Sequence, residues 1–129
     1  MKIYLAARFD RKNEVRKLYK VIESRGHEII SDWTTHKPIK PYEENIDMAK
    51  KYAIEDTDGA RECDVFIIMS DGAGTGMYVE LGAAISSFME RSKPAVYVVG
   101  KNKGRCMFYF HTAVKHKDGV LDVLDELDG

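Results

Sequence analysis

The run DVFIIM, residues 64–69, holds five consecutive apolar side chains. A strand with one wet face alternates apolar and polar residues, so an unbroken apolar run fits a strand covered on both sides. Parallel sheets create that situation, because their crossover connections lay helices over both faces. The sequence supplies such connections. KIYLAA (2–7) reads as a second buried strand, and RKNEVRKLYKVIESRG (11–26) sets Val15, Leu18 and Ile22 at helical spacing before Gly26. HEIISDW (27–33) reads as a strand, TTHKPIKPY (34–42) as a loop with two prolines, and EENIDMAKKYAIEDTDGAREC (43–63) as a helix. GMYVELGAAISSFMER (76–91) is a further helix and PAVYVVG (94–100) a further strand. MFYFHTAV (107–114) fits a fifth strand or an irregular edge, and GVLDVLDELDG closes with a short helix. The alternation predicts one α/β domain over residues 1–129, built on a doubly wound parallel sheet of four to five strands.

Charge and cysteine content narrow the function classes. Twenty Lys and Arg against 21 Asp and Glu leave a net charge of -1, which gives no field to recruit a nucleic-acid polymer or a membrane surface. The basic clusters 8–16 and 101–105 read as solvated surface. Cys63 and Cys106 lack metal-ligand spacing, and Cys63 reads as a small core residue. No apolar run reaches membrane length, and MKIYLAARFD passes straight into a strand, so the expected location is the cytoplasm. No metal and no cofactor are expected.

In doubly wound sheets, ligands bind beyond the carboxyl ends of the strands, here residues 7–11, 33–41, 70–76 and 100–105. The segment SDGAGTGMYVELGAAIS (70–86) begins in that region and carries one acid, Glu80, among apolar residues. Met77, Leu81, Ala84 and Phe88 form one helical face, and Glu80 borders it. Spacing alone allows an acid that favours the helix start. The preceding helix shows a second such acid. Asp56 lies on a predicted inner stripe of Ile46, Ala49, Ala53, Ala60 and Cys63, and buried carboxylates are paired or functional. Gly59 interrupts the same helix and fits a kink or an early end. Gly72, Gly74 and Gly76 offer backbone N–H groups to an anion or simply make a flexible turn. They are neither a dinucleotide fingerprint, since Met77 stands where its third glycine falls, nor a P-loop.

IYLAARF, DVFIIMSDGAGTGMYVELGAA and an acid eight residues before Asp64 together resemble the nucleoside 2-deoxyribosyltransferase family, whose relatives include 2′-deoxynucleoside 5′-phosphate N-hydrolases. The resemblance spans residues 2–100. It implies a flavodoxin-like, Rossmann-like fold and cleavage of the bond between a sugar C1′ and a nucleobase. It makes Glu80 the nucleophile that forms a glycosyl-enzyme, Asp56 the acid that addresses the leaving base, and Tyr4 the residue that orients Glu80. The chemistry suits these residue types: a carboxylate stabilises and captures an oxocarbenium-like centre, and a second acid protonates a poor leaving group. The sugar then passes to another base or to water.

The residues expected to line the substrate site are Ala6, Arg8, Phe9, Arg11, Trp33, Ser70, Asp71, Gly74, Thr75 and Gly76. Arg8 and Arg11 are placed to hold a 5′-phosphate or to sit in solvent, and Phe9 and Trp33 to sandwich a base or to close the core edge. His36 and His111 lack partner spacing and read as surface. The expected partners are a small nucleoside or nucleotide and further copies of the chain, through MFYFHTAV and the helix face around Phe88, in a homodimer or larger assembly. The alternative class is a non-catalytic module: a nucleotide sensor, or a receiver-like domain using Asp10 and Asp71.

Overall fold

The computed structural model describes all 129 residues. Five strands, β1 (Lys2–Ala6), β2 (Glu28–Ile29), β3 (Val65–Met69), β4 (Ala95–Val99) and β5 (Val114–Lys117), form one sheet in the order β2-β1-β3-β4-β5. Every neighbouring pair is parallel, with Tyr4 opposite Phe66, Ala6 opposite Ile68 and Ile67 opposite Tyr97. All five residues of β3 are buried, as its unbroken apolar run predicts. The sequence progresses outward from β1 in one direction to β2 and in the other to β3, β4 and β5, so strand order switches between β1 and β3.

Four helices join the strands: α1 (Lys12–Ser24), α2 (Ile46–Glu62), α3 (Gly76–Arg91) and α4 (Val120–Asp128). Right-handed crossovers running in opposite directions place α1 and α2 on opposite faces. On one face α2 packs against α3. On the other, Arg25 beyond α1 donates to Asp125 of α4 at 2.8 Å, and His27 meets Asp128 at 3.0 Å. The result is a doubly wound α/β fold with its core on both sides of β1, β3 and β4.

Three segments depart from expectation, each for a local reason. β2 stops at Ile29 because Ser31 adopts a left-handed backbone (φ 56°) and Asp32 then caps a short 3-10 turn, Trp33–Thr35, by accepting from the Thr34 N–H at 2.9 Å. MFYF forms a 3-10 turn, Met107–Phe110, and β5 starts only at Val114. The inner stripe of α2 holds at Ala60 and Cys63, which are buried, but Ile46 is 53% exposed and Ala53 is also exposed. The first half of α2 therefore projects beyond the sheet. Gly59 does not end the helix, which continues to Glu62.

Candidate active site

Gly59 explains how α2 reaches the sheet. A Cβ there would lie 2.7 Å from the Ser31 Cβ and 3.0 Å from the Tyr4 ring. The missing side chain lets α2 close onto β1 and onto the bend after β2, bringing three sequence-distant segments together. Tyr4 is fully buried, its ring stacked parallel on Phe66 with centroids 5.7 Å apart.

Glu80 from α3 and Asp56 from α2 converge on Tyr4. Burial, then the charge of Asp56, push the Glu80 carboxyl up to about 8, against a partial opposing effect of the Tyr4 hydroxyl. That hydroxyl is buried beside Glu80 yet completes no hydrogen bond of normal geometry. Burial, with the charges of Glu80 and Asp56, pushes the Tyr4 phenol well above its ordinary value, so it stays a donor. Asp56 is pushed up to about 6 by burial, although His36 and a hydrogen bond from Ser31 favour its charged form. Ser31 Oγ donates to Asp56 Oδ1 at 3.3 Å and to the Glu55 carbonyl at 3.2 Å. Two carboxyls raised by burial, Glu80 further by the charge of Asp56, facing an unpaired phenol, form an arrangement suited to general acid and nucleophile work.

A cleft of about 520 Å³ opens beside this cluster, lined by Ser31, Asp32, Thr35, His36, Tyr52 and Gly59 among others. Sequence reading missed Ser31 and took His36 for surface. His36 is only 13% exposed at its side chain and lies between two acids of α2. The half-buried placement of Ser31 and His36 follows from the bend after β2, which has no periodic signature.

The remaining predicted residues divide into groups. Ala6 is buried at the end of β1. Trp33 is core: it is 6% exposed and its indole N–H donates to the Leu5 carbonyl at 2.7 Å. Phe9 leans on it, centroids 6.2 Å apart and tilted 45°, so the two rings touch each other and leave no slot for a base between them. Arg8 pairs with Asp10 at 3.0 Å and Asp71 at 3.5 Å, and Arg11 with Glu14 at 2.9 Å and Asp71 at 3.5 Å. Arg11 also donates to the Ser70 carbonyl at 3.1 Å. Burial opposes ionisation of Asp71, but the Ala73 N–H and the two guanidinium groups outweigh it and hold its carboxyl below the ordinary value.

These arginines therefore clamp the glycine loop to β1. Arg105 reinforces it through the Gly72 carbonyl at 2.8 Å. Ser70 is buried and its Oγ accepts from the Asn102 N–H at 3.1 Å. Gly74 adopts φ 111°, and a Cβ there would meet Met77 at 2.8 Å and Arg8 at 3.2 Å. Thr75 sits exposed at the start of α3 without a side-chain cap, and Gly76 is the first helical residue, with open space where a Cβ would stand. The Asp10 and Asp71 pair of a receiver-like site is bridged by the Arg8 guanidinium instead.

No protein-family model matches the chain, and no curated protein sequence matches it. Among solved structures, that of the Clostridium botulinum CMP N-glycosidase BcmB superposes with a TM-score of 0.60 at 19% identity, covering 100% of both chains. The two chains share a fold over their whole length. No helix is long and apolar enough to cross a membrane.

Proposed function

We propose that the protein cleaves the N-glycosidic bond of a deoxynucleoside or its 5′-monophosphate through a glycosyl-enzyme on Glu80. The observation that carries this reading is the convergence of Glu80, Asp56 and the unpaired, buried Tyr4 hydroxyl at the β1/β3 switch point. Three further points support it: the sequence resemblance on the same residues, the whole-length likeness to a nucleotide N-glycosidase, and the cleft beside Asp56.

The chemistry follows from the charges. Burial raises both carboxyls and the charge of Asp56 raises Glu80 further, so the pair holds one proton over the range between about 6 and about 8. That proton rests on Glu80, the higher of the two, and the reactive arrangement is reached when it passes to Asp56. As the C1′–N bond breaks, its electron pair goes to the base nitrogen, which takes the proton from Asp56. The Glu80 carboxylate bonds to C1′, with the Tyr4 hydroxyl fixing its orientation. Water, or a second base in a transferase, then displaces Glu80 from C1′.

The test incubates the protein with a panel of deoxynucleosides and deoxynucleoside monophosphates, with and without free adenine, and separates the bases by chromatography. Base release or exchange on at least one member is expected, unchanged by a chelator. Folded protein inert across the panel would remove the enzyme reading and leave the nucleotide sensor.

The site, at the switch between β1 and β3, is flanked by exposed apolar side chains. Ile54 and Val79 are 62% and 66% exposed next to the two acids, and Met107 and Phe108 are 76% and 59% exposed beyond the glycine loop. A dimer or larger assembly covering these is the expected solution state, read as mass by light scattering.

A further inference from the structure

His36 stands beside Asp56, in a geometry that the sequence did not suggest. Its Nδ1 is 3.8 Å from Asp56 Oδ2 and its Nε2 is 3.5 Å from Glu55 Oε2, so the two ring nitrogens face different carboxylates. The ring is fixed in that orientation. It stacks on Tyr52 with centroids 3.7 Å apart and planes 5° from parallel, and the Tyr52 hydroxyl accepts from the Lys37 N–H at 3.1 Å. Glu55 is the exposed member, at 44% of its side chain, while the His36 and Asp56 side chains are 13% and 19% exposed.

We propose that His36 is the positioning residue that resupplies Asp56 with the proton given to the leaving base, an inference that rests on the functional reading above. After the base departs with the Asp56 proton, the imidazolium passes its Nδ1 proton to the Asp56 carboxylate. The neutral ring keeps its Nε2–H toward Glu55 and regains a proton at Nδ1 from solvent once the cleft has emptied. One proton thus moves from solvent to the base in each cycle, and the water that displaces Glu80 from C1′ gives one back to solvent as it becomes the sugar hydroxyl, leaving Glu80 a carboxylate again.

Histidine suits this task because it ordinarily changes charge between about pH 5 and 8. The separations exceed a hydrogen bond, as is common before substrate tightens a site. The charged and titratable groups facing His36 are Glu55, Asp56 and Lys51 of α2, and Asp32 and Lys37 of its own connection. The stacked Tyr52 completes its surroundings.

A brace for α2 would use the same contacts, so the test separates the two roles. His36→Ala and His36→Gln are assayed on a nucleoside whose base leaves poorly without a proton, and on one with an activated leaving group. On the poor leaving group kcat should fall about 100-fold with KM little changed, and on the activated one by less than about threefold. Added imidazole should restore much of the His36→Ala rate. Equal losses on both substrates with no response to imidazole, or no loss at all, would overturn the relay.

Base release by the wild type with equal losses in the His36 variants overturns the relay while leaving the glycosidase reading intact. Wild-type protein that releases no base from any member of the panel removes both.

Discussion

At the scale of single residues, Glu80 separates a catalyst from a helix acid. Glu80→Gln keeps the shape and removes the capacity to bond C1′. A carboxylate that merely favours the start of α3 would cost a few tenths to about 1 kcal/mol of stability when replaced, with turnover nearly intact. For the nucleophile, turnover should fall by about three orders of magnitude, roughly 4 kcal/mol in the barrier. A slow 2′-fluoro nucleoside should leave a sugar mass on the wild-type peptide containing Glu80. A mass on another peptide, or full activity in the Gln variant, would return Glu80 to the helix. The sequence made this residue visible because an acid at the edge of the Met77–Leu81–Ala84 face stands out, and all three neighbours are buried. The arginines were harder to read. Arg8 and Arg11 face carboxylates from Asp10, Glu14 and Asp71, and long side chains at a loop carry no pattern that announces their partners.

At the scale of elements, periodicity located α3 at its observed limits, Gly76–Arg91, and β3 and β4 to within one residue at each end. It failed where backbone bends decide the path. The left-handed Ser31 ends β2 early and turns His36 toward α2, and nothing in HEIISDW distinguishes that bend from a longer strand. Gly59 was visible as an oddity, but its reason lies in the approach of two other segments. That reason is testable. Gly59→Ala gains about 1 kcal/mol of helix propensity, yet its methyl must displace the Ser31 Cβ at 2.7 Å and the Tyr4 ring at 3.0 Å. Overpacking of this kind costs about 1–3 kcal/mol. A net loss of up to about 2 kcal/mol is expected in denaturant unfolding, with a larger fractional loss of turnover, since Tyr4 and α2 shift together. A variant more stable than wild type would show that α2 does not press on β1 through this position.

At the scale of the whole molecule, the buried acids set how stability responds to pH. In the unfolded chain Glu80 and Asp56 have ordinary values of 4.5 and 3.8, while folding raises them to about 8 and about 6. Between each pair of values the folded state binds more protons than the unfolded state. The stability slope is therefore negative there, at most about 1.4 kcal/mol per pH unit for each proton. Neither acid costs stability below its unfolded value; the penalty grows as pH rises and is complete above the folded one. Asp64 and Asp71 act in the opposite sense. The Lys2 N–H and Lys93 hold Asp64 low, and for Asp71 the Ala73 N–H, Arg8 and Arg11 outweigh the upward push of burial. Their contribution is present at neutral pH and is lost as acid protonates them. The two trends meet near the ordinary carboxylate range, so the denaturant midpoint should peak at about pH 4 and decline steadily toward pH 8. Glu80→Gln should flatten the upper part of that decline and make the variant more stable than wild type at pH 8, while Asp56→Asn should flatten the part below about pH 6. A wild-type midpoint that is level from pH 5 to 8 would mean that neither carboxyl is held in the low-dielectric setting that the folded chain builds around Tyr4.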